Sequence, residues 1–469
     1  MTGGLMQLVA YGAQDIYLTG NPLITFFKTV YRRHTNFAME SIRQMSNSPV
    51  DFGSTTVALV DRSGDLLKGL YLQATLPDIT SATEGSICWT DNIGHYLVEN
   101  VYISIGGQII DTQCGDWLEI WSQLTVPAGQ IDGYREMIGQ DPRNPLGMNT
   151  GLQRDAGLLP GSTVRGRTIF VPLQFWFCRN IGLSLPLISL QYHEVKVHMT
   201  LRSANQLIIG EPEGQPRLND VYLWADYIYL DTDERRRFAQ ISHEYLIEQV
   251  QRIEKIVSGA VTECEIDLNQ FNHPVKELVW VSRHLAAATA KQWSNYTTTP
   301  AIQHTTSSNG LPDGITNLGL VDSLDYIIND TDATNLLALT SHQHTRPIGS
   351  ANQTASAVLY LDGNKRFDER EGRYFNWVQC REHHTCIPLS PGINVYSFAY
   401  KAEQHQPSGT CNFSRISNTK LAIRFNSGCN LNSGLGLKFR GTDRQVQVYA
   451  VNYNVLKVMS GMAGLAYLE

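Results

Sequence analysis

Leu67-Lys68-Gly69-Leu70-Tyr71-Leu72-Gln73-Ala74-Thr75-Leu76 carries an apolar side chain at every second position from Leu70 onward. That period puts one row of side chains on each face of a β-strand. Its first six residues return as Val275-Lys276-Glu277-Leu278-Val279-Trp280, an offset of 208 (275 minus 67). A Val-x4-Gly-x4-Asp frame at Val101, Gly106 and Asp111 returns at Val358, Gly363 and Asp368, an offset of 257 (358 minus 101). Val171-Pro172-Leu173 resembles Ile387-Pro388-Leu389, an offset of 216 (387 minus 171). Three landmarks that keep their order favour a tandem duplication of one β-domain, with the offset differences marking loops of unequal length.

Working outward, short alternating runs bounded by Gly, Pro, Asn and Asp dominate, as in Tyr192 to His198 and Leu421 to Phe425. Such spacing predicts a sandwich or barrel. About 49 extra residues (257 minus 208) fall between the first two landmarks of the second half, near 282–356, in a stretch rich in Thr, Ser, Asn and Ala. Loops of that length are usually functional or exposed. The first half carries its excess between Asp111 and Val171, where Asp116-Trp117-Leu118-Glu119-Ile120-Trp121 suits a short helix. Between the halves, Asp231 is placed to cap a short helix with Glu234 reaching back from its third position, before a new strand at His243. A short capped connector predicts two domains in fixed relation.

The chain has 469 residues, 42% hydrophobic and only 17% charged, with net charge −7. Its length allows two or three domains, and its charge excludes a strongly basic nucleic-acid footprint. The one compact basic run, Arg235-Arg236-Arg237, follows Asp231, Asp233 and Glu234 and reads as a solvated helix face. Eight scattered cysteines suggest free, mostly buried thiols in a reducing compartment. Neither a signal peptide nor an apolar span of membrane length is legible, and Thr2 stands where N-myristoylation needs Gly.

Candidate chemistry is sparse. His193, Glu194 and His198 miss the zinc-helix spacing, and on a strand the two histidines point to opposite faces. Cys380, His383, His384 and Cys386 are all possible zinc ligands but crowd into seven residues, so a polar loop before Pro388 is expected there. No nucleophile elbow or phosphate-binding loop is present; Gly106-Gly107 between two strands reads as a hairpin turn. Asn295, Asn329, Asn352 and Asn412 open Asn-x-Ser/Thr triplets, possible N-glycosylation sites, three of them in the long insert.

The termini carry a resemblance. Gly3-Gly4-Leu5-Met6-Gln7-Leu8-Val9-Ala10-Tyr11-Gly12-Ala13-Gln14-Asp15, then Leu18-Thr19-Gly20-Asn21-Pro22 and Thr25 to Phe37, closely resemble the N-terminus of major capsid proteins of nucleocytoplasmic large DNA viruses, especially the algal phycodnaviruses. The likeness recurs in Leu185 to Val195, through the connector to Gln249, in Gln406 to Arg415, and in Asn452 to Lys457 with Met459 to Met462. It spans nearly the whole chain and is weakest over the insert.

The resemblance implies an all-β fold of two tandem eight-stranded antiparallel jelly rolls, with short helices in connector and loops. It divides the chain into an N-terminal arm (1–25), a first jelly roll (26–230), a helical connector (231–240) and a second jelly roll (241–469). It implies a homotrimeric, pseudo-hexagonal capsomer tiling the icosahedral shell of a large double-stranded DNA virus. Expected partners are neighbouring capsomers, minor capsid and penton proteins, and the internal viral membrane; direct nucleic-acid binding is not expected. The protein is expected in the virion's outer shell, assembled in the host cytoplasm. No catalytic residue, cofactor or metal ligand is expected. A lectin-like sandwich would account for the Tyr and Trp content but not for duplicated domains on a rigid connector. A cupin-type metalloenzyme would need histidines and a carboxylate clustered on neighbouring strands.

Overall fold

A computed structural model describes residues 2–46, 49–82, 87–139, 163–289, 291–298, 352–426 and 443–467. Residues 1–37 form a unit of their own. By itself this arm holds, among its described residues, two short helices, α1 (Gly3–Val9) and α2 (Ile16–Thr19), joined and followed by turns and irregular chain. Asp15 closes the turn between the helices by accepting from Gly12 N at 2.7 Å. The first strand starts at Phe37.

The body, residues 38–469, is two copies of one design. Among the described residues, roll I has eight main strands: β1 (Phe37–Gln44), β2 (Thr55–Leu59), β3 (Leu66–Thr75), β4 (Val98–Ile105), β5 (Gln108–Cys114), β6 (Thr168–Pro172), β7 (Val195–Leu201) and β8 (Asn219–Leu230). One sheet runs β1-β8-β3-β6 and the other β2-β7-β4-β5. Roll II repeats them as β9 (His243–Val257), β10 (Glu263–Asp267), β11 (Pro274–His284), β12 (Thr354–Leu361), β13 (Asn364–Lys365), β14 (Asn394–Ser397), β15 (Thr419–Phe425) and β16 (Arg444–Met459). Its sheets run β9-β16-β11-β14 and β10-β15-β12-β13. Every strand of roll II sits where the strand eight labels earlier sits in roll I. This is the double jelly roll, and the main ladders are antiparallel.

Alternation explains the layers. In β3, Leu70, Leu72 and Ala74 are buried between the sheets, while Tyr71, Gln73 and Thr75 face outward, partly exposed. In β11 and β16 the inward set is Leu278, Trp280, Val446, Val448 and Ala450. The outward set there is also buried, beneath apolar side chains of roll I.

The repeat frame holds at the hairpins with a one-residue slip. Gly106 (φ 59°) and Gly107 (φ 87°) turn β4 into β5, and Asp362 (φ 46°) with Gly363 (φ 80°) turns β12 into β13. Two consecutive left-handed residues are what a two-residue hairpin matching the strand twist requires. Gly107, not Gly106, is therefore the counterpart of Gly363. The third landmark is wrong. At the offset of 208, Leu72 corresponds to Trp280; Leu72 pairs with Val171 and Trp280 with Asn394. Ile387-Pro388-Leu389 lies in a loop before that strand.

The connector forms helix α4 (Thr232–Gln240). Asp231 caps it by accepting from Thr232 N at 2.7 Å, but the expected reciprocal bond from Glu234 is not made. Arg235 instead reaches Asp65 Oδ1 at 2.9 Å, and Phe238 O accepts from Ser189 Oγ at 2.7 Å, so the helix is tied back to roll I.

Candidate assembly surfaces

The excursion from β5 to β6 begins as helix α3 (Gly115–Thr125). Its sequence places Trp117, Ile120, Trp121 and Leu124 at i, i+3, i+4 and i+7, one apolar face. That face lies on the outer surface of roll II's β9-β16-β11-β14 sheet, against Val279, Val281, Val395, Tyr449 and Val451, with Tyr296 and Ile393 beside them. Trp117 packs on Tyr449 with ring centroids 5.2 Å apart. Roll II's outward valines and tyrosine are buried because a helix of roll I covers them.

Charges are sealed into this weld. Asp116, in the first turn of α3, receives Arg283 Nη1 of β11 at 2.8 Å, and both side chains are under 5% exposed. Tyr296 Oη and Gln447 Nε2 also donate to Asp116, each at 3.3 Å. Burial alone would raise the Asp116 carboxyl, but Arg283 and Arg202 overcome it and hold it below its ordinary value. Arg179, at the end of roll I's core, stacks over Trp121 and reaches Glu248 of β9 at 3.2 Å. Glu248 also pairs with the buried Lys276 at 2.7 Å. Asp111 of β5 accepts from Val250 N of β9 at 3.0 Å and from Gln113 Nε2 at 2.9 Å; burial, opposed by these hydrogen bonds, pushes its carboxyl up to about 6.

A second contact closes the other end. The hairpin from β16 into β17 (Met462–Leu465) reaches roll I. Tyr192 N donates to Gly461 O at 3.0 Å, and Ala463 N to His193 Nδ1 at 3.2 Å. Ile247, Leu456, Val458 and Ala463 complete the roll I core. The two rolls thus share buried surface at two places.

The residues singled out from sequence fall as follows. His193 is occupied in that contact, while His198 stacks on Tyr102 at 4.4 Å. The expected polar loop at Cys380 to Cys386 holds only for its second part: a π-helical turn (Tyr374–Val378) runs into helix α5 (Gln379–His383), with Cys380 in the core, and the chain is irregular from His384 to Cys386. His384 is buried between Glu277 Oε2 (2.8 Å) and Glu403 Oε1 (3.0 Å). Burial would lower its pKa, but the two carboxylates raise it to about 9. Among the described residues, no three His, Cys, Asp or Glu side chains gather as metal ligands. The seven described cysteines are free thiols. Asn295 is 1% exposed, its amide donating to Gln292. Asn352 is half-buried against Asn394, Asn329 lies outside the described residues, and Asn412 is exposed. Sequence inspection missed the Asp116 to Arg283 pair, whose members stand 167 residues apart; the only local signal was a lone acid opening an apolar helix.

Comparison with known proteins agrees with this architecture. Residues 25–231 match the family described as major capsid protein N-terminus, and residues 234–464 the family described as large eukaryotic DNA virus major capsid protein. The chain is 42% identical to a major capsid protein of Phaeocystis pouchetii virus and 37% to that of Paramecium bursaria Chlorella virus 1, each over all of both chains. Among solved structures, it resembles the capsid protein in a quasi-atomic model of the latter virus's capsid. The TM-score is 0.72 at 32% identity, covering 95% of this chain and 100% of that one. The Faustovirus major capsid protein shares the fold, with TM-score 0.68 at 12% identity.

Proposed function

Because this chain belongs to the major capsid proteins of large eukaryotic DNA viruses, we propose that three copies join into a pseudo-hexagonal capsomer that tiles an icosahedral shell. The observation that carries this is the duplication itself. Two rolls of identical strand order, fixed by buried contacts at two places, give each copy two similar walls. Three copies then present six walls, which pack hexagonally while needing only threefold symmetry. Function on this reading is assembly, and the buried helix, ion pairs and hairpin serve to hold one angle between the rolls.

Within the virion, the arm supplies contacts at the inner side to neighbouring capsomers, minor capsid and penton proteins and the internal membrane. Shell assembly is placed in the host cytoplasm. Any glycan on a described sequon belongs at Asn412, the one whose residue is exposed.

Light scattering on a sizing column tests the capsomer. One chain is 52.5 kDa, so a trimer weighs about 158 kDa. A trimer peak that survives dilution is expected of a permanent interface, which buries roughly 2,000 Å² or more. A stable monomer at micromolar concentration overturns the proposal.

A further inference from the structure

The weld inside the chain has an unfilled twin. In roll I, β5 ends at Cys114, paired with Asn100, and six and seven residues later come Ile120 and Trp121. In roll II the corresponding ladder position is Glu371, paired with Ser356: Asn100 precedes its hairpin's last residue, Ile105, by five, as Ser356 precedes Leu361. Six and seven residues after Glu371 come Trp377 and Val378. Ile120 and Trp121 are 0% and 5% exposed beneath roll II; Trp377 and Val378 are each 42% exposed.

The receiving face has a twin as well. At the offset of 208, Tyr71 stands where Val279 stands. Their cross-strand partners are Trp224 and Tyr449. Phe170, opposite Gln73, then corresponds to Ile393. Val279, Tyr449 and Ile393 are at most 1% exposed under α3. Tyr71, Trp224 and Phe170 keep open surface on roll I, with Tyr71 stacked on Trp224 at 6.2 Å and tilted against Phe170 at 6.4 Å.

We propose that the helical turn bearing Trp377 and Val378 seats on the Tyr71, Trp224 and Phe170 face of a second copy of this chain. The contact between chains then repeats the contact within the chain. It is head-to-tail, joining unlike surfaces, and such contacts make a closed ring when the rotation closes. Two rolls per chain with one internal and one external joint of the same kind would close a six-walled ring after three chains. This assignment rests on the trimeric reading above and adds which faces meet.

The test has two arms on the full chain. Trp377→Glu is expected to raise the concentration at which the trimer dissociates by roughly thirtyfold or more, the scale of an aromatic hot spot. Its circular-dichroism spectrum, taken on dissociated chains, should keep the wild-type fold signal, the Arg373 guanidinium that stacks over the Trp377 ring at 5.6 Å gaining a carboxylate partner in exchange. Independently, Val378→Cys and Gln73→Cys chains are mixed and treated with a short bismaleimide. A cross-linked pair is expected only when both variants are present, with wild type controlling for native thiols. A wild-type trimer with Trp377→Glu unchanged and no mixed cross-link overturns the assignment while leaving the trimer standing. A monomeric wild type overturns the trimer itself, and the assignment with it.

Discussion

Replacing Arg283 by Met should cost this protein more than any truncation at its surface. The guanidinium lies 2.8 Å from Asp116 Oδ1, and neither side chain is more than 4% exposed. Two unit charges about 4 Å apart attract by about 4 kcal/mol at an effective dielectric of about 20. Removing one member of a buried pair typically costs about 3–5 kcal/mol, since the other charge stays buried without its counterion. Met fills the aliphatic stem, so little of the loss comes from a void. Tyr296 and Gln447 still donate to Asp116, each at 3.3 Å, which keeps the cost toward the lower end.

Asp116→Asn is the milder change. Arg283 then keeps Trp293 O and Gln445 Oε1, each at 2.8 Å, so a loss of about 1.5–3 kcal/mol is expected for one charged hydrogen bond. The double variant removes both charges and should lose less than the two single losses combined. Urea unfolding followed by tryptophan fluorescence and circular dichroism gives the three values, read on the first transition in case the rolls unfold separately. A loss under about 1 kcal/mol for Arg283→Met, or strict additivity in the double variant, would refute the claim that this pair registers the rolls.

Two further outcomes follow from the same contacts. His384 titrates near 9 when folded against an ordinary 6.5, so its stabilisation is complete below pH 6.5 and is lost as pH rises through 9. Chemical denaturation at stepped pH should show stability falling by about 1.4 kcal/mol per pH unit between 6.5 and 9; His384→Gln should remove most of that slope. Gly461 has φ +81° and a Cβ there would stand 2.5 Å from the Tyr192 ring. Gly461→Ala should therefore loosen the C-terminal hairpin, by more than about 1 kcal/mol, and hydrogen exchange at Tyr192 and Ala463 amides should accelerate.

Strand period and turn chemistry were legible from the chain because they are local. Leu70, Leu72 and Ala74 mark their face without help from the rest of the fold, and Gly363 marks its hairpin. The weld was not legible, because an outward row such as Val279 and Val281 reads like any β-strand until a helix from 160 residues earlier covers it. The Cys380 to Cys386 stretch misled for a related reason. His384 looks polar and exposed in sequence, and only the long-range approach of Glu277 and Glu403 makes it a buried cation. The false third landmark shows how a Pro-Leu dipeptide can mimic a strand end when ladder pairing is unknown.

The duplication also explains why the weld carries a charge pair when apolar contact would suffice for adhesion. A helix face of Trp, Ile and Leu on flat rows of valine can slide, and the two receiving faces resemble each other. At the twin positions Arg283 corresponds to Thr75 (offset 208), and Asp116 to Arg373 (two residues beyond Glu371, as Asp116 is beyond Cys114). Roll I's helix laid on a roll I face would bury the Asp116 carboxylate with Thr75 where its cation should be. Burying that unpaired charge costs several kcal/mol, enough to disfavour the wrong pairing by a hundredfold or so. In the proposed contact roll II's helical turn would bring Arg373, which stacks over Trp377 at 5.6 Å, to an aromatic face where Arg43 stacks over Tyr222 at 4.0 Å. The internal joint is thus locked by a buried pair formed once, on folding. The proposed external joint would lack that pair and so could form between finished chains in water. A protein built to make one contact inside itself and its twin outside needs such a difference, because with identical charge patterns the two joints would compete for the same helix.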